Sequence, residues 1–246
     1  MPGNFATKFV QLPPSGENQR WLTVSLSWLV AIVAVASIAM YFFDRHILYV
    51  LAREDGPYED FEAAAYFLAA FALLHVVAAR GVRNLWVFGL AVLFFLVGGE
   101  EISWGQRVFA IGTPETMREI NVQGETNLHN IEGLHQTVRA LSLLILWGLF
   151  VAIPLAARFR PTAKLVRALG LPIANWGCAL AVVVATAFMF VPRLLRHPNF
   201  YLDEVGELLV SIAALGLSLG LWSAARSERR TPKAEVVGEA DDAFHC

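Results

Sequence analysis

Residues 85–107 read LWVFGLAVLFFLVGGEEISWGQR, an apolar run that ends in two adjacent carboxylates, a tryptophan and an arginine. As a helix, the uncharged stretch Leu85–Gly99 rises only about 22 Å, against a hydrocarbon core of roughly 30 Å. A helix that crosses the bilayer here must therefore carry Glu100 and Glu101 to the membrane edge or just inside it. An isolated charge in that position costs on the order of 2 kcal/mol or more unless it is paired, protonated or hydrated. The run predicts a membrane helix whose acidic end needs compensation.

The rest of the chain fits that reading. Of 246 residues, 57% are hydrophobic and 16% charged, whereas soluble domains hold roughly 45–50% and 25%. Further apolar runs cover Trp21–Phe43, Ala63–Ala79, Ala140–Ala157, Ala168–Pro192 and Leu208–Ala225. With their polar ends included, all approach the roughly 17–25 residues of a crossing helix. The expected fold is all-α: a polytopic membrane helical bundle of about six transmembrane helices over residues 21–226. The first run exceeds the roughly 7–15 residue core of a cleaved signal peptide, so it reads as a retained helix. Residues 1–20 and 227–246 read as flexible tails without an apolar face to bury.

Loop charge predicts the orientation. The tails and the alternate loops carry twelve of the nineteen basic residues, among them Lys8, Arg20, Arg80, Arg83, Arg158, Arg160, Lys164, Arg167 and Arg226. By the positive-inside rule both termini are cytoplasmic. The opposite loops and adjoining helix ends hold fifteen of the twenty-one acids, so the polar segment 99–135 is expected outside. A multi-pass protein of a plasma membrane follows, or of the inner membrane if the source is bacterial, with membrane lipids as its surroundings. No basic aromatic patch suggests nucleic acid. The two cysteines, Cys178 within a span and Cys246 at the last position, are not placed to bridge. Nothing in the sequence fixes an oligomeric state.

Within segment 99–135, Thr113-Pro114-Glu115 reads as the start of a short helix reaching about Ile120. A second helix is expected to begin near Glu125 and continue into the fourth span. On such a helix Glu125, His129, Glu132 and Gln136 make one polar stripe about 60° wide. Glu132-x-x-His135 has the i, i+3 spacing that lets a carboxylate and an imidazole hold one ion, and it resembles half of the di-iron carboxylate motif of bundle proteins, which use two such pairs. Continued as a helix, residues 100–107 place Glu100, Trp104 and Arg107 on one face, with Arg107 the expected counter-charge of Glu100. Glu101 then points elsewhere and is free to act as ligand, base or acid.

Two other helices bring acids to the same end. Glu59, Glu62 and Tyr66 share one face of the second span, and Glu204, Glu207 and Ser211 share one face of the sixth. Convergence of those faces would recruit a cation or perturb ionisation. Asn130, with Asn121, Gln123 and Asn127, reads as an orienting partner for the imidazole and carboxylates or as a turn residue.

The pattern predicts a divalent metal ion, Zn, Fe or Mn, held by His129, Glu132, His135 and Glu62, with Glu100, Glu101 and Arg107 as catalytic groups. The expected function is a metal-dependent enzyme, a membrane hydrolase or a carboxylate-metal redox enzyme, acting on a lipid or isoprenoid-like substrate. Two rivals stand beside it: a non-catalytic assembly or docking protein using the outer segment as its contact surface, and a cation- or proton-coupled transporter. Carriers bind near the bilayer midplane, and the acids here gather towards one face.

Overall fold

The computed structural model describes residues 17–53, 55–80, 84–106, 108–196 and 199–230. Ten α-helices follow in order: α1 (Glu17–Phe43), α2 (Arg45–Ala52), α3 (Pro57–Arg80), α4 (Leu85–Glu101), α5 (Glu115–Ile120), α6 (His135–Trp147), α7 (Ile153–Ala156), α8 (Arg160–Ala168), α9 (Trp176–Leu194) and α10 (Phe200–Arg230). A π-helical turn, Gly148–Ala152, joins α6 to α7, so that Thr137–Ala156 forms one long helix. Pro154 is the second residue after this turn, and a proline lacks the N–H that would continue the regular ladder. The tails 1–16 and 231–246, Arg83 and Arg107 lie outside the described residues.

The protein is an all-α, multi-pass membrane helical bundle. Among the described residues, five helices are long and apolar enough to cross: Asn18–Phe43, Pro57–Ala79, Thr137–Ala156, Trp176–Leu194 and Phe200–Ser227. The other expected span, α4, has 17 residues, about 25 Å of rise. Its start is fixed by Asn84, whose side chain accepts from the amides of Trp86 and Val87, an N-cap that satisfies two otherwise orphaned donors. The apolar run at Ala168–Pro192 is broken rather than continuous. The amphipathic helix α8 ends at Ala168, Gly170 takes a left-handed φ of 64°, and α9 starts only after the Asn175 cap. Gly is the residue that tolerates such a C-terminal position, and the break confines the crossing segment to α9.

At the centre, α3 packs between α10 and α4, and α9 backs α10. The core is drawn from Leu73, Val182, Val205, Leu209 and Leu217 among others, all nearly inaccessible. α3 and α10 run in the same direction, because Glu62 meets Glu207 near their starts and His75 meets Trp222 further along. α1 and α10 are antiparallel: Gln19 donates to the Gly220 carbonyl at 2.9 Å, and Leu26, further along α1, lies against Gly216, earlier on α10. The first turns of α1 therefore lie beside the later part of α10.

Two glycines let helix backbones approach closely. A Cβ at Gly98 of α4 would sit 3.2 Å from the Tyr66 Cβ and 3.3 Å from the Ala63 carbonyl of α3. A Cβ at Gly206 of α10 would meet the Met189 Cγ at 2.7 Å and the Ala185 carbonyl of α9 at 3.0 Å. Both glycines stand within three positions of a glutamate that matters below.

Candidate metal centre

Helix α4 stops at Glu101. Ser103, Trp104 and Gly105 follow with φ of 46°, 56° and 77°, three successive residues in the left-handed region, which non-glycine residues enter at a cost of about 1–3 kcal/mol each. The turn is held by its surroundings. Ser103 is buried and its hydroxyl donates to Glu125. The Trp104 indole N–H donates to Glu100 at 2.7 Å, and its ring lies so close to Gly99 that any Cβ there would be 2.8 Å away. The expected helical face through Glu100, Trp104 and Arg107 is thus replaced by a reversal of the chain. Trp104 still meets Glu100, and Arg107 falls outside the described residues.

Glu100 finds its compensation in the outer loop. Its Oε2 accepts from the amides of Leu128 at 2.6 Å and His129 at 3.2 Å, and the His129 Nδ1 lies 3.5 Å away. One carboxylate thereby satisfies two loop amides, an indole and an imidazole.

The expected helix from Glu125 does not form. Residues 121–134 make an irregular loop, and α6 begins at His135. Side-chain hydrogen bonds win over helical ones here. Asn121 donates to the carbonyl and side-chain oxygens of Asn127 and accepts from the amides of Gln123 and Glu125. Asn127 donates to Ser103 and Glu125, and Gln106 accepts from the Thr126 amide. Asn130 donates to Gln123. Asn121 and Asn127 are loop scaffolding, as turn-forming asparagines are expected to be. Without a helix there is no polar stripe. Glu132 is exposed on the loop and Glu125 is spent on Ser103 and Asn127. His135 opens α6, its side chain lying outside the described part.

Glu101 points the other way, into the bundle. One carboxylate oxygen each of Glu62 on α3, Glu101 on α4 and Glu207 on α10 lie within 4.8 Å of one another. Glu62 is 0% exposed, and neither of its oxygens has a hydrogen-bond partner. The α3 and α10 faces do converge: Glu62 and Glu207 meet, and Tyr66 and Ser211, one turn beyond them, are buried. Of the expected metal ligands whose side chains are described, His129, Glu132 and Glu62, only Glu62 belongs to this group, whose other members are Glu101 and Glu207. Among the described residues no second set of three such side chains comes together.

More charge surrounds the triad. Glu204 is 6% exposed, and Glu59 accepts from the Asp55 amide at 2.8 Å; the charges of both act on Glu62, as do those of Glu101 and Glu207. His129 approaches from the loop. Burial lowers its pKa, but the hydrogen bond to Glu100 and the charges of Glu101 and Glu207 outweigh that and raise it above the ordinary imidazole value. Three residues absent from the sequence reading complete the rim. Arg193 of α9 makes a two-point ion pair with Asp203 of α10, and Arg139 of α6 stands 3.6 Å from the same carboxylate. The charges of both arginines reach Glu207. The only sequence signal for this clamp was an aspartate directly preceding Glu204.

Three carboxylates at this spacing can hold a divalent cation. Oxygen ligands bind Mg²⁺ at about 2.1 Å and Ca²⁺ at about 2.3–2.6 Å, so two on opposite sides of one ion stand roughly 4–5 Å apart. An orphaned, fully buried carboxylate is otherwise expensive, and either a proton or a cation must answer it. Comparison with protein-family models, with curated proteins and with solved structures finds no match.

Proposed function

We propose that the protein is a metal-dependent membrane enzyme whose Glu62–Glu101–Glu207 centre holds a hard divalent cation next to a lipid or isoprenoid-like substrate. The observation that carries this reading is Glu62, inaccessible and without a hydrogen bond, facing two further carboxylates. An all-carboxylate set suits Mn²⁺ or Mg²⁺ better than zinc, which prefers nitrogen and sulfur donors. In this reading Glu101 is a ligand rather than a base. Proton transfer passes to His129, which Glu100 holds at the edge of the cluster. A bound cation would supply Lewis acidity and an acidified water for hydrolysis.

The lipid class rests on where the site lies. Glu62 and Glu207 stand five and seven residues beyond the starts of α3 and α10, about 8–10 Å along the helices, a depth near the headgroup boundary. The loops at this end expose Val108, Phe109, Ile111, Val122 and Leu128, side chains suited to insertion between lipids. The same apolar loops favour a second reading, a docking surface for a membrane partner. Metal analysis of detergent-purified protein, wild type beside Glu62→Gln and Glu101→Gln, separates the two. Bound metal abolished by both substitutions supports the enzyme, and metal-free, well-folded wild type after exposure to Mn²⁺ overturns it in favour of docking.

A further inference from the structure

Between the span Thr137–Ala156 and α9 lies α8 (Arg160–Ala168). It sits at the membrane face opposite the triad, because α4 starts beside it and ends at Glu101. Its C-terminal turn is tied to that start: the Trp86 indole donates to the Leu169 carbonyl at 2.9 Å, and the Asn84 side chain donates to the Gly170 carbonyl at 3.3 Å. Ala163 and Val166 are buried, and the helix rests on α7. At about 100° per residue, Arg160, Lys164 and Arg167 form one stripe about 60° wide, while Leu165 and Leu169 point about 140–180° away from Arg160. All five of these side chains are exposed.

The stripe has no counter-charge in its own part of the chain. Residues 133–202 contain no aspartate or glutamate, and with Arg158 the segment carries four basic side chains. Among the described residues, the ion pairs join His129 to Glu100 and Arg139 and Arg193 to Asp203, all at the other end of the bundle. Arg158 instead stacks on Trp176, 4.6 Å from the ring centroid. Trp86 and Trp176 each stand in the first turn of a helix and are exposed, as indoles at a membrane interface are. The spans on either side hold α8 at that interface. A soluble phosphate or a nucleic acid would engage the basic stripe alone. A bilayer engages both faces, taking the leucines among its acyl chains and the basic groups at headgroup level.

We infer that α8 is an in-plane anchor that docks on anionic phospholipid headgroups, with Arg160, Lys164 and Arg167 meeting the phosphates and Leu165 and Leu169 entering the acyl region. This surface is separate from the triad and independent of the metal reading. It lies at the face that the loop charges assign to the cytoplasm, where the leaflet is the more anionic one. Each basic residue near such a surface favours the anionic lipid by about fivefold, equal to about 1 kcal/mol. Through Trp86 and Asn84 the same contact braces the start of α4.

The experiment places the full-length protein in nanodiscs of equimolar phosphatidylcholine and phosphatidylglycerol, with spin-labelled forms of each lipid reporting which one the protein retains. The expected result is a preference for phosphatidylglycerol that Arg160→Gln with Arg167→Gln lowers by about fivefold or more. Arg20→Gln with Arg226→Gln, at the same end of the bundle, should lower it clearly less. Equal losses, or no preference in wild type, overturn the site. Inorganic phosphate should weaken the preference no more than chloride at equal ionic strength, and stronger competition by phosphate overturns the lipid in favour of a soluble ligand. A second readout leaves the stripe intact: a fluorophore at Leu165→Cys in a Cys246→Ser background, Cys178 being buried. Brominated acyl chains should quench it, and a label that they leave unquenched overturns the in-plane seating.

Discussion

Glu100 and Glu101 are adjacent in the chain and serve opposite sides of one helix end: Glu100 ties the outer loop through the amides of Leu128 and His129, while Glu101 meets Glu62 and Glu207 inside the bundle. The division follows from where α4 stops. A helix end leaves its side chains free to diverge, and the left-handed turn at Ser103–Gly105 ties Ser103 to Glu125 and Asn127 of the outer loop. Two identical side chains thus acquire different chemistry from environment alone.

If Glu62 is a cation ligand, the cation stabilises the fold and the bare carboxylate does not. Thermal unfolding in detergent should show wild type gaining about 2.7 kcal/mol at Mn²⁺ a hundredfold above its dissociation constant. Glu62→Gln should gain nothing. Without metal, Glu62→Leu should be more stable than wild type by about 1–3 kcal/mol, because an unsatisfied buried group is removed. A metal-dependent rise of equal size in Glu62→Gln removes Glu62 from the site.

Glu100 holds the loop rather than the bundle. Hydrogen bonds to a charged acceptor contribute about 1.5–3 kcal/mol each, so Glu100→Ala should speed amide hydrogen exchange at Leu128 and His129 by tenfold or more. Exchange in the buried turns of α3 and α10 should stay as in wild type. Uniform acceleration throughout the bundle would show that Glu100 supports the fold as a whole.

The raised pKa of His129 gives a pH dependence of definite sign. A group whose folded pKa lies above its unfolded value stabilises fully below the unfolded pKa, and that contribution is lost as pH rises through the folded pKa. Metal-free protein should therefore lose stability as pH climbs from mildly acidic through the His129 titration, and His129→Gln should flatten that part of the profile. Imidazole NMR signals supply the direct check, with Glu100→Gln shifting the titration downward. A His129 pKa at or below the ordinary value contradicts the arrangement.

Arg193 and Arg139 share Asp203 unequally. Arg193 bonds it at two points, whereas Arg139 stands at 3.6 Å. Breaking the closer pair strands a largely covered carboxylate. With the arginine about one-third exposed, the expected cost of Arg193→Ala is about 1–3 kcal/mol. Arg139→Ala should cost clearly less, as read from the shift in unfolding temperature. Matching losses would place the two arginines on an equal footing.

The positive-inside asymmetry predicts that a reporter fused after Cys246 signals from the cytoplasm and one inserted at Gly124 signals from outside. The reverse pattern turns the whole site to the cytoplasmic face.

The parts of this architecture that repeat over many residues were readable from the chain. Uninterrupted apolar runs announced α1, α3, α9 and α10, and the i, i+3, i+7 spacing of Glu59, Glu62 and Tyr66, matched at Glu204, Glu207 and Ser211, announced which faces carry the acids. What periodicity cannot register is a local contest. The helical pattern at 100–107 continues in sequence, yet the chain turns left-handed at Ser103 because Glu125, Glu100 and Gly99 hold that turn. Likewise Glu125 to Gln136 fits a helical wheel, but Asn121 and Asn127 offer the backbone better partners. Asn121, Gly124 and Asn127 within seven positions were a turn signal that outweighed the stripe. The carboxylates that do gather at this end, Glu62, Glu101 and Glu207, lie on α3, α4 and α10, while Glu132 stays exposed on the loop that replaced the helix.

Gly98 and Gly206 bind nothing, yet they gauge the opening. Each lets a helix settle against its neighbour's backbone, one beside Glu101 and the other beside Glu207, so the reach left between the three carboxylates is dictated by how near those helices lie. A methyl group at Gly98 would press on Tyr66 and Ala63 of α3 and widen the ring of oxygens, so that if the ring holds a cation as proposed, a larger one such as Ca²⁺ would gain over Mn²⁺. In the proposed centre, the spacing of the ligands is thereby set in part at Gly98 and Gly206, where the absence of a side chain lets one helix lie against the next.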